Sequence, residues 1–319
     1  MFLVLLFSSC SGKKGGKSVF AVTSSGNAYE LLVVVDRQMW ERPSGRALND
    51  VLKSDVPGLP QSEASFRVMF TDPAYFDATL KLVRNIVEVK VSDIYTQPKM
   101  TYEHDVYAYP QAILTIQAPD EKTFGEYVTR HSQAIIDFFT HAEMNRQIRT
   151  LETSYNDYIY TKVKKMFDCE VWVPGALSSH KAGDHFFVIY SFPYTDPNTF
   201  TKDFFLHKRD SVMKINIPGA REGMYMATDT AFTSVKPIAV QNKYALEARG
   251  LWRIKNDFMG GPFVSHMRLD TVNQRIVVSE VFVYSPDKMK RNLIRQMEAS
   301  LYTLRLPYVA GQDTVKIEM

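Results

Sequence analysis

Closely spaced histidines, carboxylates and thiols are where catalysis or metal binding would start, and this chain offers few of them. His180 and His185 flank Asp184, giving two imidazoles and one carboxylate within six residues. Zinc needs three or four such ligands converging at about 2 Å. No third ligand is in view and the H-E-x-x-H pattern is missing, so solvated loop histidines are expected. Glu103, His104 and Asp105 lie in a strand-like run, where alternation sends the imidazole away from both acids. Neither a G-x-S-x-G elbow nor a phosphate-cradling glycine loop occurs. Cys169 sits in Cys-Glu-Val-Trp-Val and reads as a buried structural thiol. The sequence therefore predicts no catalytic residue, no metal and no cofactor. One place is more particular than folding alone requires. Asn256 and Asp257 precede a Gly260-Gly261-Pro262 turn and are flanked by Trp252 and Phe258. A polar pair beside aromatic rings can hold a glycan or a peptide. The same residues also make an Asx-type turn pinned by packed rings. Trp252, Asn256, Asp257 and Phe258 are the candidate ligand-binding turn.

The other distinctive residue is Cys10. Residues 2–7 are apolar, Ser8 and Ser9 are small, and residues 11–17 (Ser-Gly-Lys-Lys-Gly-Gly-Lys) are polar and flexible. This resembles a bacterial lipoprotein signal. Small residues let an extended segment enter a peptidase cleft, and a thiol is the best nucleophile there to accept a diacylglyceryl group. The resemblance implies removal of residues 1–9 and lipid attachment at Cys10. Signal peptides normally carry a basic region and about 7–15 apolar residues. Here no Lys or Arg precedes Cys10, which predicts that the natural start lies upstream. The other reading of the segment is a hydrophobic N-terminus with a chance cysteine. With Cys10 acylated, Cys169 has no disulfide partner. Acyl chains in pairs or threes hold a protein on a bilayer far better than one, and Lys13, Lys14 and Lys17 would add attraction to anionic headgroups.

Composition sets the remaining limits. The chain has 319 residues, 45% of them hydrophobic and 23% charged, which excludes disorder and a small disulfide scaffold. Thirty-eight Lys+Arg against 35 Asp+Glu leave +3, so nucleic acid is not an expected partner. No apolar run approaches the roughly 20 residues that span a bilayer.

The elements follow from periodicity. Residues 29–36 read as a buried strand, with a helix near 43–52, a strand at 66–70 and a helix from Asp72-Pro73 to about residue 84. Residues 86–91 alternate as a half-buried strand, and residues 102–118, interrupted by Pro110, are two strands or one broken strand. Phe124, Val128, His131, Ile135, Phe138 and Ala142 define one helical face, and a break is expected near 153–157. Residues 245–255, 262–269 and 275–284 form an antiparallel meander. A last helix opens at Ser285-Pro286-Asp287. Its Lys288, Arg291 and Arg295 lie opposite the apolar face, where a solvated stripe is expected, or one that meets headgroups. Both long helices follow a strand through a small residue, Pro and Asp, which reads either as an internal duplication or as a coincidence of good helix starts.

Residues 249–253, 256–265 and 281–286 together are similar to a family of Bacteroidetes lipoproteins of unassigned function. The similarity is specific in that stretch and loose elsewhere. It implies an envelope lipoprotein and brings no activity.

The expected fold is α+β: a mixed or antiparallel sheet with long amphipathic helices on one face, with an internal duplication as one reading. The expected division is a signal peptide at 1–9, a flexible linker at 10–27, α+β halves at 28–153 and 154–306, and a tail at 307–319. The expected role is a lipid-anchored cell-envelope protein, on the periplasmic side of the outer membrane. Its body would be a non-catalytic binding or assembly module for an envelope protein or glycan. The alternative is an envelope hydrolase acting on glycan or peptide. The expected partners are membrane lipid through Cys10 and that envelope component.

Overall fold

The computed structural model describes residues 22–177, 185–194 and 200–308. It is an α+β protein with two five-stranded sheets. The first is built around β1 (Glu30–Val34), which is buried along its whole length, as an apolar run between parallel neighbours must be. β1 runs parallel to β2 (Arg67–Thr71) and β3 (Asn85–Val91), and β3 runs parallel to β5 (Ala112–Ala118). β4 (Lys99–His104) closes the far edge antiparallel to β5, giving the order β2-β1-β3-β5-β4. The run interrupted by Pro110 is thus two strands, β4 and β5.

Parallel neighbours need crossovers. Between β1 and β2 they are α1 (Arg37–Glu41) and α2 (Pro43–Leu52). Between β2 and β3 the expected helix does not form. Two short 3-10 turns, Pro73–Tyr75 and Leu80–Leu82, stand in its place. Asp72 accepts from the Ala74 N–H, and Asp77 from those of Thr79 and Leu80, so each acid starts its own turn. Phe76 and Leu80 then fold onto Leu32, Val34, Ile86 and Ile113 on one face of the sheet. The opposite face carries α2 together with α3 (Glu121–Arg130) and α4 (Ser132–Ser154), through Leu48, Leu52, Phe124, Val128, Ile135 and Phe139. Burying each such side chain is worth roughly 1.5–3 kcal/mol before entropy is counted. The single helical face expected through Phe138 is two faces, because His131 breaks the helix and resets its phase. Phe139 enters the core and Phe138 stays half-buried.

After α5 (Asp157–Phe167) comes the second sheet, wholly antiparallel. Its strands are β6 (His185–Pro193), β7 (Met226–Val240), β8 (Lys243–Ile254), β9 (Gly260–Asp270) and β10 (Arg275–Val283). Their order is β6-β10-β9-β8-β7, so β8 to β10 form the expected meander. α6 (Lys202–Asn216) covers one face through Phe205 and Met213. α7 (Arg291–Thr303) covers the other through Ile294, Met297 and Leu301. The two sheets agree with a duplication in strand count, while their strand orders differ. α4 and α7 bring the halves together, with Met144 and Leu151 packed on Ala299.

α7 does not open at Pro286. It begins at Arg291, and neither its N-cap residue nor any acid in its first turn supplies a local cap. Glu63 from the first half does so instead, its carboxylate accepting the backbone N–H groups of Lys290 at 2.6 Å and Arg291 at 2.8 Å.

Candidate functional site

The predicted turn divides its residues between core and solvent. Trp252 is buried and donates its indole N–H to the Val283 carbonyl at 3.3 Å. Its ring packs edge-on against Phe282, with centroids 5.6 Å apart. A Cβ on Gly261 would run into that same Val283 carbonyl, so only glycine lets β9 pass there. Asn256 takes a left-handed conformation (φ 62°), and Asp257 accepts from the Phe258 N–H at 2.6 Å. Phe258 is fully exposed at the tip. Trp252 and Phe258 therefore do not form one surface. Cys10, His180 and Asp184 lie outside the described residues, as does the side chain of His185. Cys169 is buried, and burial raises its thiol to about 11, with Arg275 pulling weakly the other way.

The basic stripe of the last helix is not a solvated face. Arg291 donates to the Ala64 carbonyl at 2.5 Å and Arg295 to the Ser65 carbonyl at 3.1 Å. Both guanidiniums lie over the Tyr29 ring, Arg295 at 4.5 Å. Only Lys288 of the three is exposed. The stripe seats the second half on the first.

The second sheet also buries charge on both faces. Toward α6, Arg209 makes a two-pronged bond to Glu280 at 2.7 and 2.8 Å and lies 3.8 Å over the Phe263 ring. Burial pushes the Glu280 carboxyl up, and Arg209 pulls it back. Toward α7, Arg249 bridges Glu247 and Glu298, with His266 3.5 Å from Glu247. Burial opposes the charge of Glu247, but Arg249 and His266 outweigh it and hold its carboxyl well below the usual range. Ser265, Ser279 and Ser300 are buried nearby with unpaired hydroxyls. Serine, histidine and glutamate are the residue types of nucleophilic hydrolysis. Here His266 is completely buried, its Nε2 points to Glu247 at 3.5 Å, and no serine hydroxyl is bonded to either ring nitrogen.

The open chemistry lies in the first half, between the β4–β5 connection and α4. A pocket of about 220 Å³ opens there, lined by His104, Asp105, Asn145, Arg146 and Arg149 among others. Two features of the fold build it. Helical spacing puts Phe138, Ala142, Asn145 and Arg149 along one side of α4. Asp105, in a left-handed conformation (φ 57°), turns the chain out of β4 and accepts the Gln111 N–H at 2.7 Å. The floor is Arg146. It donates to Glu143 and to Asn85, both at 2.8 Å, and to the Arg84 carbonyl at 2.8 Å. Glu143 also holds Arg84 at 2.8 Å, so one buried carboxylate serves two guanidiniums. Burial pushes the Arg146 guanidinium down and Glu143 pulls it back up. At the mouth Arg149 is exposed and donates to the Tyr109 hydroxyl at 3.1 Å. Beside it is an aromatic shelf, with Phe138 4.9 Å from Tyr102 and 5.5 Å from His104. By strand alternation His104 has no acid partner on its own side of the strand. It belongs here as part of a shelf, and Arg146 and Arg149 gave no signal of their own.

Among the described residues no three His, Cys, Asp or Glu side chains are grouped to hold a metal, and no helix is long and apolar enough to cross a membrane. Fold and pocket define a two-sheet α+β protein with charged junctions inside and a donor-rich opening beside α4. The chain carries two domains of unknown function. Residues 24–152 match the family described as a domain of unknown function (DUF8532), and residues 156–303 match another so described (DUF4837). A search of curated proteins finds no match.

Proposed function

We propose that this protein is a lipid-anchored component of a bacterial cell envelope, on the periplasmic side of the outer membrane, whose two-sheet body is a non-catalytic binding or assembly module. The observation that carries the anchor is Cys10 set directly after the apolar and small residues 2–9 and before the Lys/Gly stretch. Eleven residues lie between Cys10 and Val22, where the described body begins. Fully extended they reach at most about 40 Å, so the body works close to its membrane. The binding role is supported by the pocket beside α4, whose lining offers donors and a shelf of rings.

The test is to express the chain from its natural start and label it with radioactive palmitate. Wild type should incorporate label and Cys10→Ser should not. Equal incorporation overturns the anchor. The same preparation gives a second reading. With Cys169 buried and its thiol near 11, the folded protein should react slowly with an alkylating agent at pH 8. After denaturation it should show one reactive thiol if Cys10 is acylated, and two if it is not.

A further inference from the structure

The geometry points to a monoanionic carboxylate as the ligand group of the pocket beside α4, held by Arg149 and Asn145 with an adjoining ring or apolar portion laid on Phe138 and Tyr102. This rests on the reading of the body as a binding module and is independent of the anchor. Size comes first. About 220 Å³ is below the 300–1,000 Å³ usual for whole small ligands, so the pocket takes an end group rather than a molecule. Sign comes next. The lining sets Arg146 and Arg149 against Asp105, an excess of one positive charge, while the buried Glu143 beneath Arg146 is shared with Arg84. The positive floor is fixed, because three acceptors hold Arg146 in place.

Ligand contacts fall to groups still able to donate. Arg149 uses one nitrogen on Tyr109, which leaves the rest of its fork for a planar two-oxygen partner. The Asn145 amide lines the same space. Asp105 and the shape of the Arg149 fork bear on which anion fits. Asp105 stands in the lining and disfavours a second ligand charge placed next to it, while the planar fork of Arg149 matches the two coplanar oxygens of a carboxylate better than a tetrahedral phosphate. The shelf adds the second requirement. Tyr102 is half-exposed and its ring meets Phe138, so a flat or apolar portion next to the carboxylate gains contact there. Two sources share this chemistry in an envelope: the free C-terminus of a peptide, and an acidic sugar.

The experiment is calorimetric titration of the purified full chain at low salt. The probes are N-acetylphenylalanine, its amide, glucuronate and inorganic phosphate. The acid should bind at least tenfold more tightly than its amide. Arg149→Met should cost about tenfold and Asn145→Ala less. Arg149 is exposed, so its variant should melt with the wild type, and that melt accompanies the titration. A glucuronate affinity above that of the peptide acid assigns the sugar source, and the reverse assigns the peptide source. Equal binding of acid and amide, tighter binding of phosphate, unchanged binding by Arg149→Met, or no binding of either acid overturns the proposal. The broader reading fails separately, if the lipidated chain recovers no envelope protein or glycan after crosslinking in cells.

Discussion

α3 and α7 each follow a strand through a small residue, a Pro or Ser-Pro step and an Asp, yet they begin by different means. α3 starts where its own sequence says. Asp120 accepts the Thr123 N–H at 2.8 Å and the Thr123 hydroxyl at 2.7 Å, and Glu121 follows in the first turn. In α7 the matching Asp287 caps nothing, the chain stays irregular to Lys290, and the cap comes from Glu63, 227 residues away from Lys290. A cap built from neighbours in the chain ties a helix to its own strand. A cap supplied from the other half ties two domains together, and it can form only when both are folded.

The largest expected effect follows from that difference. Glu63→Ala strands one buried and one partly buried N–H group and should cost about 2–3 kcal/mol, read as a lower denaturation midpoint with faster proteolysis of residues 286–290. A loss no greater than that of Asp120→Ala would break the contrast. Acid gives an intermediate effect. Glu247 is held below its usual range through Arg249, which also grips Glu298 on α7. A depressed carboxylate contributes stability that is complete above its unfolded value, near 4.3, and is lost as pH falls toward the folded one. Melting in acid should therefore loosen the α7 side, seen as earlier exchange of its amides, and Glu247→Gln should flatten that dependence. Exchange starting in α3 would reverse the ranking. The smallest effect belongs to Asp120→Ala. Asp120 is also depressed, first by the Thr123 N–H, but it is exposed and its partners can turn to water. Its loss should fray only the first turn of α3 and add independently to Glu63→Ala.

The same contrast explains what the sequence reveals. β1, β5 and the β8–β10 meander carry apolar periodicity, and Asp120 caps three residues on, so these are legible locally. β7 is not. Its sequence, Met-Ala-Thr-Asp-Thr-Ala-Phe-Thr-Ser-Val-Lys-Pro-Ile-Ala-Val, has no apolar run and contains Pro237. Its pairing comes from β8 through the two-residue turn Gln241-Asn242, both left-handed, without the glycine that usually marks such a turn. The Asp72 helix fails because Asp77 offers a competing local turn. At the candidate turn, spacing could show that Trp252 and Phe258 are near neighbours. It could not show that one is core and the other tip. Arg146 and Arg149 read as ordinary charges on a long helix, since only the placement of β4, Asp105 and Glu143 gives them a shared opening.

β7 has one further consequence. Among the described strands it forms the outer margin of its sheet and pairs only with β8. Its ladder slips between Asp229 and Ser234, and Lys236 and Pro237 stand exposed midway along it. Under the proposed Cys10 anchor, molecules on one leaflet would meet in two dimensions, at crowding far above that of a dilute solution. An uninterrupted margin would then stitch neighbours into ribbons. The kink, the cation and the missing amide hydrogen of proline make that margin a poor template, so dense arrays of this protein should stay individually free to move.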